Sequence, residues 1–393
     1  MNRDNFSALL TGIGVVALIV GFAIYFNNPK INTPSFGNSG DNFIPAVSVD
    51  NKTGQIIKSQ YAIDKSQFKK APEFEGITGS INTKPLHLSD LRGKVILVDF
   101  WTYSCINCIR TIPYLVDWND KYSDKGLVIV GIHTPEFEFE KDIHNVQAAV
   151  KKFGIKYPVL QDNDKATWNA YKNLYWPRKY IVDSEGYIRY DHIGEGGYQE
   201  TEKIIQNLLA ERAAQQGIKG ISFNQNLIKA PLVTESVDFS KIITPEIYLG
   251  YNLARAPLGS KEGFHPAEIV NYSIPKLDLE PNTVYVQGQW KNNPDNLELA
   301  GDSGKIVLLY SAKSANIVAG GNGSATITND PSGVNGSIGT SQGESAGKDL
   351  TGNKLVIDGQ RLYNISQHDN YGNHYVIINA QGKGFQIYTF TFG

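Results

Sequence analysis

Cysteine is nearly absent from this chain: 393 residues hold two, Cys105 and Cys108, beside a single methionine. Two thiols in a chain of this length do not make a disulfide framework. A zinc site wants four Cys or His ligands, and neither a second C-x-x-C nor an H-x3-5-H accompanies the pair; the seven histidines are dispersed. No metal site and no cofactor are expected. A surplus of one charge is missing too, with 37 Lys and Arg against 39 Asp and Glu and a formal net charge of −2. Without a basic run, nothing favours nucleic acid as a partner. No internal repeat is evident. Long apolar runs are lacking except at residues 6–26, an uncharged segment about long enough to cross ~30 Å of hydrocarbon.

That segment reads as a transmembrane anchor. A cleaved signal peptide is the competing reading, but the run is long and no A-x-A-like site follows it. With only a short tail before the span, the tail is placed in the cytoplasm and the remainder outside, in the periplasm or at the cell surface. Residues 27–70, rich in Asn, Ser, Lys and Gly, read as a tether.

From residue 71 the pattern changes. Residues 94–100 and 127–132 are apolar runs of buried-strand length, with a helical pattern at 106–122 between them that Pro113 should kink. A second helix is expected at 140–153, a short strand at 157–160, a hairpin over 178–190 and a closing amphipathic helix to about residue 213. This order indicates an α/β domain over 71–215. A linker is expected at 216–243. Beyond it, strand-like runs at 283–290, 305–310, 325–328, 354–357, 374–379 and 385–392 alternate with turn clusters. They predict an all-β sandwich, jelly-roll-like, over 244–393. Residues 319–352 read as holding a long loop, 368–374 as a polar hairpin turn, and Asp162-Asn163-Asp164 as a strand-to-helix turn.

The spacing of Cys105 and Cys108 suits a bond that opens and closes, since two intervening residues at a helix start bring sulfurs within bonding range. The run Asp99-Phe100-Trp101, then Cys105-Ile106-Asn107-Cys108 and Pro113, with Trp176-Pro177 before a distant strand, resembles thioredoxin and the TlpA/ResA-like thioredoxins. More of the chain is similar to the DipZ-type proteins: His133-Thr134-Pro135-Glu136-Phe137, Tyr175-Trp176-Pro177, Ile193-Gly194-Glu195-Gly196, and Thr244-Pro245-Glu246-Ile247-Tyr248 with Tyr388-Thr389-Phe390. The last group looks like that family's C-terminal module, which resembles a carbohydrate-binding domain.

The resemblance implies a thioredoxin fold and a thiol–disulfide oxidoreductase. Cys105, at an exposed helix N-terminus, is the expected nucleophile and Cys108 the resolving thiol. Asp99 is the expected buried carboxylate that exchanges a proton with Cys108. Pro177 is expected to be cis and to offer its backbone to a substrate strand, with Trp101 and Trp176 lining the groove. Departures exist: the dipeptide lacks proline, and Thr111 stands where ResA-type proteins carry a glutamate. Glu136 and Glu140 read as surface carboxylates. The implied partners are protein disulfides and, because the span holds no cysteine, a CcdA/DsbD-like membrane donor of electrons. A cell-surface glycan-binding protein is the alternative, with Tyr285, Trp290, Tyr310, Tyr363 and Tyr388 as stacking candidates or core residues. A thiol peroxidase is a third reading, weakened by the absence of a P-x-x-x-T-x-x-C run.

Overall fold

A short antiparallel pair, β1 (Val47–Val49) and β2 (Ile56–Lys58), precedes two larger assemblies. The computed structural model describes residues 47–49, 56–58, 64–219, 222–223, 227, 237–275, 279–329 and 346–393. The expected anchor at 6–26 and most of the tether lie outside the described residues. Among the described residues, no helix is long and apolar enough to cross a membrane.

The first assembly is a six-stranded mixed sheet. Its elements run β3 (Gly79–Ile81), β4 (Val95–Trp101), α1 (Ile106–Tyr122), β5 (Leu127–His133), α2 (Ile143–Lys152), β6 (Val159–Gln161), α3 (Ala166–Ala170), β7 (Arg178–Val182), β8 (Ile188–Ile193) and α4 (Tyr198–Gln216). The strand order is β3-β6-β5-β4-β7-β8, with β4, β5 and β6 parallel and the other pairings antiparallel. β4 is central and every one of its residues is buried, which is why it reads as an apolar run broken only by Asp99. α1 turns Cys108, Ile112, Leu115, Trp118 and Tyr122 inward at helical spacing and runs on past Pro113. α4 meets α1 through Tyr198, stacked on Tyr114 at 3.5 Å, and through Glu202, which accepts a hydrogen bond from Tyr122 at 2.7 Å. The sequence pattern missed β3 and gave no bounds for α3, the helix that the 162–164 turn announces, because both are too short to show a period.

The second assembly is all-β. It comprises β9 (Ile247–Tyr248), β10 (Ile269–Tyr272), β11 (Val284–Asn292), β12 (Leu297–Gly321), β13 (Ser324–Thr328), β14 (Lys354–Val356), β15 (Arg361–Gln381) and β16 (Phe385–Phe392), all paired antiparallel. β12 and β15 are far longer than the runs legible in sequence. The first half of β12 pairs with β11 and its far end with β16, which also meets Leu297 and Glu298, while β15 follows most of its length. One core, containing Trp290, Tyr310, Tyr363, Phe385 and Phe390, fills the folded sheet.

Residues 368–374 are not a hairpin turn. They lie within β15, where Ser314 faces Gln367 but Ala312 already faces Gly372, so the extra residues bulge from a continuing strand. Of the loop expected at 319–352, residues 319–321 and 324–328 are strand, and 330–345 lie outside the described residues.

Both assemblies fall within one unit. Tyr388 of β16 packs edge-on against Phe137 and Phe139, with ring centres at 5.2 and 4.8 Å, in the segment following β5. Asp295 accepts the Glu138 N–H at 3.2 Å.

Candidate redox site

β4 delivers the chain to the site through Thr102-Tyr103-Ser104, all buried. Cys105 then caps α1: its backbone is extended and its Sγ accepts the Cys108 N–H at 3.3 Å. The sulfur thereby takes up one of the N–H groups that the first turn of the helix leaves without a backbone partner. Cys105 is half-exposed, Cys108 is buried, and both are free thiols. Burial pushes the Cys108 thiol well up, and the neighbouring Cys105 sulfur adds to the effect.

Asp99 is buried on β4, and its Oδ1 has no hydrogen-bond partner among the described residues. Burial pushes its carboxyl up to about 7, against the opposing charge of Lys179. Lys179 is Asp99's directly opposed partner on β7, and opposed antiparallel residues share a face. It too is buried, with its Nζ donating to the Gly194 carbonyl at 3.0 Å. Burial pulls its ammonium down to about 8, while the charges of Asp99 and Cys108 push it back up. Lys179 went unnoticed in the sequence because an apolar strand with one lysine near its start looks like an edge; only the strand order shows it to be interior.

The Trp176–Pro177 peptide is cis. Trp176 is half-buried, packs tilted against Trp168 with ring centres at 4.3 Å and donates from Nε1 to the Thr134 carbonyl at 3.1 Å. Trp101 does not line a groove. It is 1% exposed and lies edge-on to His133 at 5.1 Å, because the last residue of β4 still belongs to the sheet interior. His133 itself is buried, and its burial lowers its imidazole to about 3, so it stays neutral.

Glu140 is not a surface carboxylate. It is fully buried and accepts from Ser104 Oγ at 2.6 Å and from the N–H groups of Glu136 and Phe137 at 2.7 and 3.0 Å. A 3-10 turn at Glu138–Lys141 breaks the Phe/Glu alternation and swings Glu140 inward, where it pins the loop ahead of Cys105. Burial raises its carboxyl, and these donors oppose the rise. Glu136 is half-buried against the β assembly: Tyr248 Oη lies 2.5 Å from its Oε1 and 2.8 Å from Glu246 Oε2.

Elsewhere, Asp183, Glu185 and Glu211 converge closely enough to hold a metal. The chain's own cations already neutralise them: Lys65 pairs with all three, and Arg189 with Asp183 at 3.0 Å and Glu211 at 3.1 Å. A cavity of about 290 Å³ adjoins this cluster, at the opposite end of β4 and β7 from the cysteines. Asp162-Asn163-Asp164 forms a strand-to-helix turn, with Asp162 accepting the Thr167 and Trp168 N–H groups. Tyr285, Trp290, Tyr310, Tyr363 and Tyr388 are all buried, so none presents a ring face to a sugar.

A family model described as "Thioredoxin like C-terminal domain" matches residues 244–393, and one described as "AhpC/TSA family" matches 68–191. The chain is 35% identical over 329 residues to Protein DipZ of Mycobacterium tuberculosis, covering 82% of this chain and 43% of that protein. It therefore spans less than half the length of that relative. It is 30% identical over 140 residues to Thiol-disulfide oxidoreductase YkuV of Bacillus subtilis, covering 36% of this chain and 94% of that one. A solution structure of a thioredoxin-like protein in the oxidized form is 30% identical, covering 37% of this chain and 97% of its own, with a TM-score of 0.34.

Proposed function

Since the chain belongs to the thioredoxin-like thiol–disulfide oxidoreductases of DipZ and YkuV type, we propose that it is a membrane-tethered, extracytoplasmic reductase of protein disulfides. The observation that carries the chemistry is the set of half-exposed Cys105 at a helix N-cap, buried Cys108 one turn in, and buried Asp99 on β4, whose charge bears on Cys108.

In the forward reaction the Cys105 thiolate attacks one sulfur of a substrate disulfide and expels the other as a thiolate, leaving a mixed disulfide. Cys108 must lose its proton to resolve it. Asp99 accepts that proton: its charge bears directly on Cys108, and burial pushes its carboxyl up to about 7. The Cys108 thiolate attacks Cys105 Sγ, the intramolecular disulfide forms, and the second substrate sulfur leaves and is protonated. Two electrons have then passed to the substrate. A CcdA/DsbD-like membrane protein restores the dithiol, and the uncharged 6–26 run supplies the tether.

The 244–393 domain is read as a jelly-roll-like sandwich that braces the redox loops. The glycan alternative loses the support of its five stacking candidates, which are buried.

The test is insulin reduction together with the potential of the Cys105–Cys108 couple. A potential near about −270 mV supports a reductase, and one near about −120 mV reverses the direction. Cys105→Ser abolishes turnover, and Cys108→Ser accumulates the mixed disulfide. Peroxide consumption that survives Cys108→Ser but not Cys105→Ser would point to a peroxidase instead. A cytoplasmic C-terminus in a topology assay would overturn the location.

A further inference from the structure

Arg110 and Glu195 neither give nor take the proton of the resolving step, although the charge of Glu195 bears on Lys179, and they join the two walls of the site. Arg110 follows Cys108 on α1. Its Nε donates to Glu195 Oε2 at 2.8 Å, and its Nη2 donates to the side-chain oxygen of Asn107, between the two cysteines, at 2.7 Å. The Arg110 and Glu195 side chains are 12% and 9% exposed, so the pair is held mostly out of water. Such a pair tolerates little displacement, because losing either partner strands a charge.

Glu195 adjoins Gly194, and Gly194 is tied to the other wall. Its N–H donates to the Pro177 carbonyl at 2.8 Å, and its own carbonyl accepts from Lys179 Nζ at 3.0 Å. Gly194 has φ +80°, a conformation that favours glycine and keeps this short turn free of a strained side chain. One link from the cysteine-bearing helix to the Pro177 loop, besides the β4–β7 ladder, thus runs through an ion pair and a backbone hydrogen bond. The β assembly closes over it: a methyl built on Gly393 would sit 3.2 Å from Arg110 Nη1.

We propose that Arg110 and Glu195 are positioning residues that clamp the Cys105 end of α1 against the Pro177 loop, and so select extended polypeptide disulfides over small ones. This rests on the thiol–disulfide reading above. A polypeptide segment must pair its backbone along one wall while its disulfide reaches Cys105 on the other, so it needs both walls at a fixed spacing. A small disulfide needs only the sulfur.

The full chain carrying Glu195→Gln, Arg110→Met, or the exchange Arg110→Glu with Glu195→Arg is assayed on insulin and on a small aromatic disulfide, with a thermal melt to establish folding. In each single variant kcat/KM on insulin falls about tenfold, chiefly through KM, while the small disulfide is reduced within about twofold of the original rate. The exchanged pair recovers threefold or more of the insulin loss. Glu195→Gln keeps the side-chain shape and stands as the measure if Arg110→Met melts early. Parallel losses on both substrates, or an unchanged insulin rate in Glu195→Gln, would sink the clamp alone. Reduction that persists in Cys105→Ser would sink the clamp and the reading beneath it together.

Discussion

Asp99 has to be ionised before it can take the Cys108 proton, and it ionises in an unfavourable place. With burial holding its carboxyl up to about 7, the resolving step should speed up as pH rises through neutrality and level off above it. Asp99→Asn removes that rise and slows resolution by about 10²-fold, as read from the decay of a trapped mixed disulfide in stopped flow. Lys179 opposes the upward push on Asp99. Lys179→Met should therefore move the same rise to higher pH; a shift to lower pH, or none, would remove Lys179 from the account. Glu140 makes a separate prediction. Glu140→Ala leaves Ser104 and two loop N–H groups without their acceptor in a dry site and should cost about 3 kcal/mol, seen as a lower denaturation midpoint. These three residues also show what was legible. Asp99 could be named from the resemblance to thioredoxin, because its place ahead of Cys105 matches that family's buried carboxylate. Lys179 and Glu140 could not, because their roles arise from a cross-strand register and a 3-10 turn that join distant segments.

The strands that carry the site were readable because burial on both faces demands mostly apolar residues, and β4 and β5 meet that demand save at Asp99 and His133. Short connectors were not, since β3 and α3 hold too few residues to establish any period. The β assembly was readable only in fragments: β12 and β15 bend and shift register, so each showed as pieces separated by glycine and polar residues. The bulge at 368–374 is one such interruption within an element, and a polar heptad looks alike in a turn and in a bulge. Between elements, the contact that matters is β16 against the segment after β5. Tyr388 fills the space beside Phe137 and Phe139 and is itself buried. Tyr388→Ala should cost about 3 kcal/mol and loosen the loop that Glu140 pins, so amide exchange over 134–140 should rise more than exchange over β4. Equal protection in both segments would mean that the loop is held without help from the β assembly.

At the scale of the whole molecule, the two assemblies meet across a pair of acids. Tyr248 Oη stands between Glu136 and Glu246 and owns one hydrogen, so it cannot donate to both at once. In the docked arrangement one carboxyl must hold a proton of its own. Burial and the charge of Glu246 push Glu136 up to about 8, and burial raises Glu246 as well; Lys165 and Arg255 oppose these shifts. A carboxyl whose affinity for protons is higher docked than free gives docking a contribution that is full below the free value of 4.5. That contribution is lost as pH rises from there through about 8. The thermal midpoint should accordingly fall between pH 6 and pH 9. Asp99 would lower it in the same direction, so the difference between chains carries the argument. Glu246→Gln removes one of the two charges and supplies an amide donor, and its midpoint should fall less over that interval than the original chain's. If the two chains lose the same number of degrees, the acid pair does not govern how the β assembly holds the redox loops, and the hydrophobic contact of Tyr388 must do so alone.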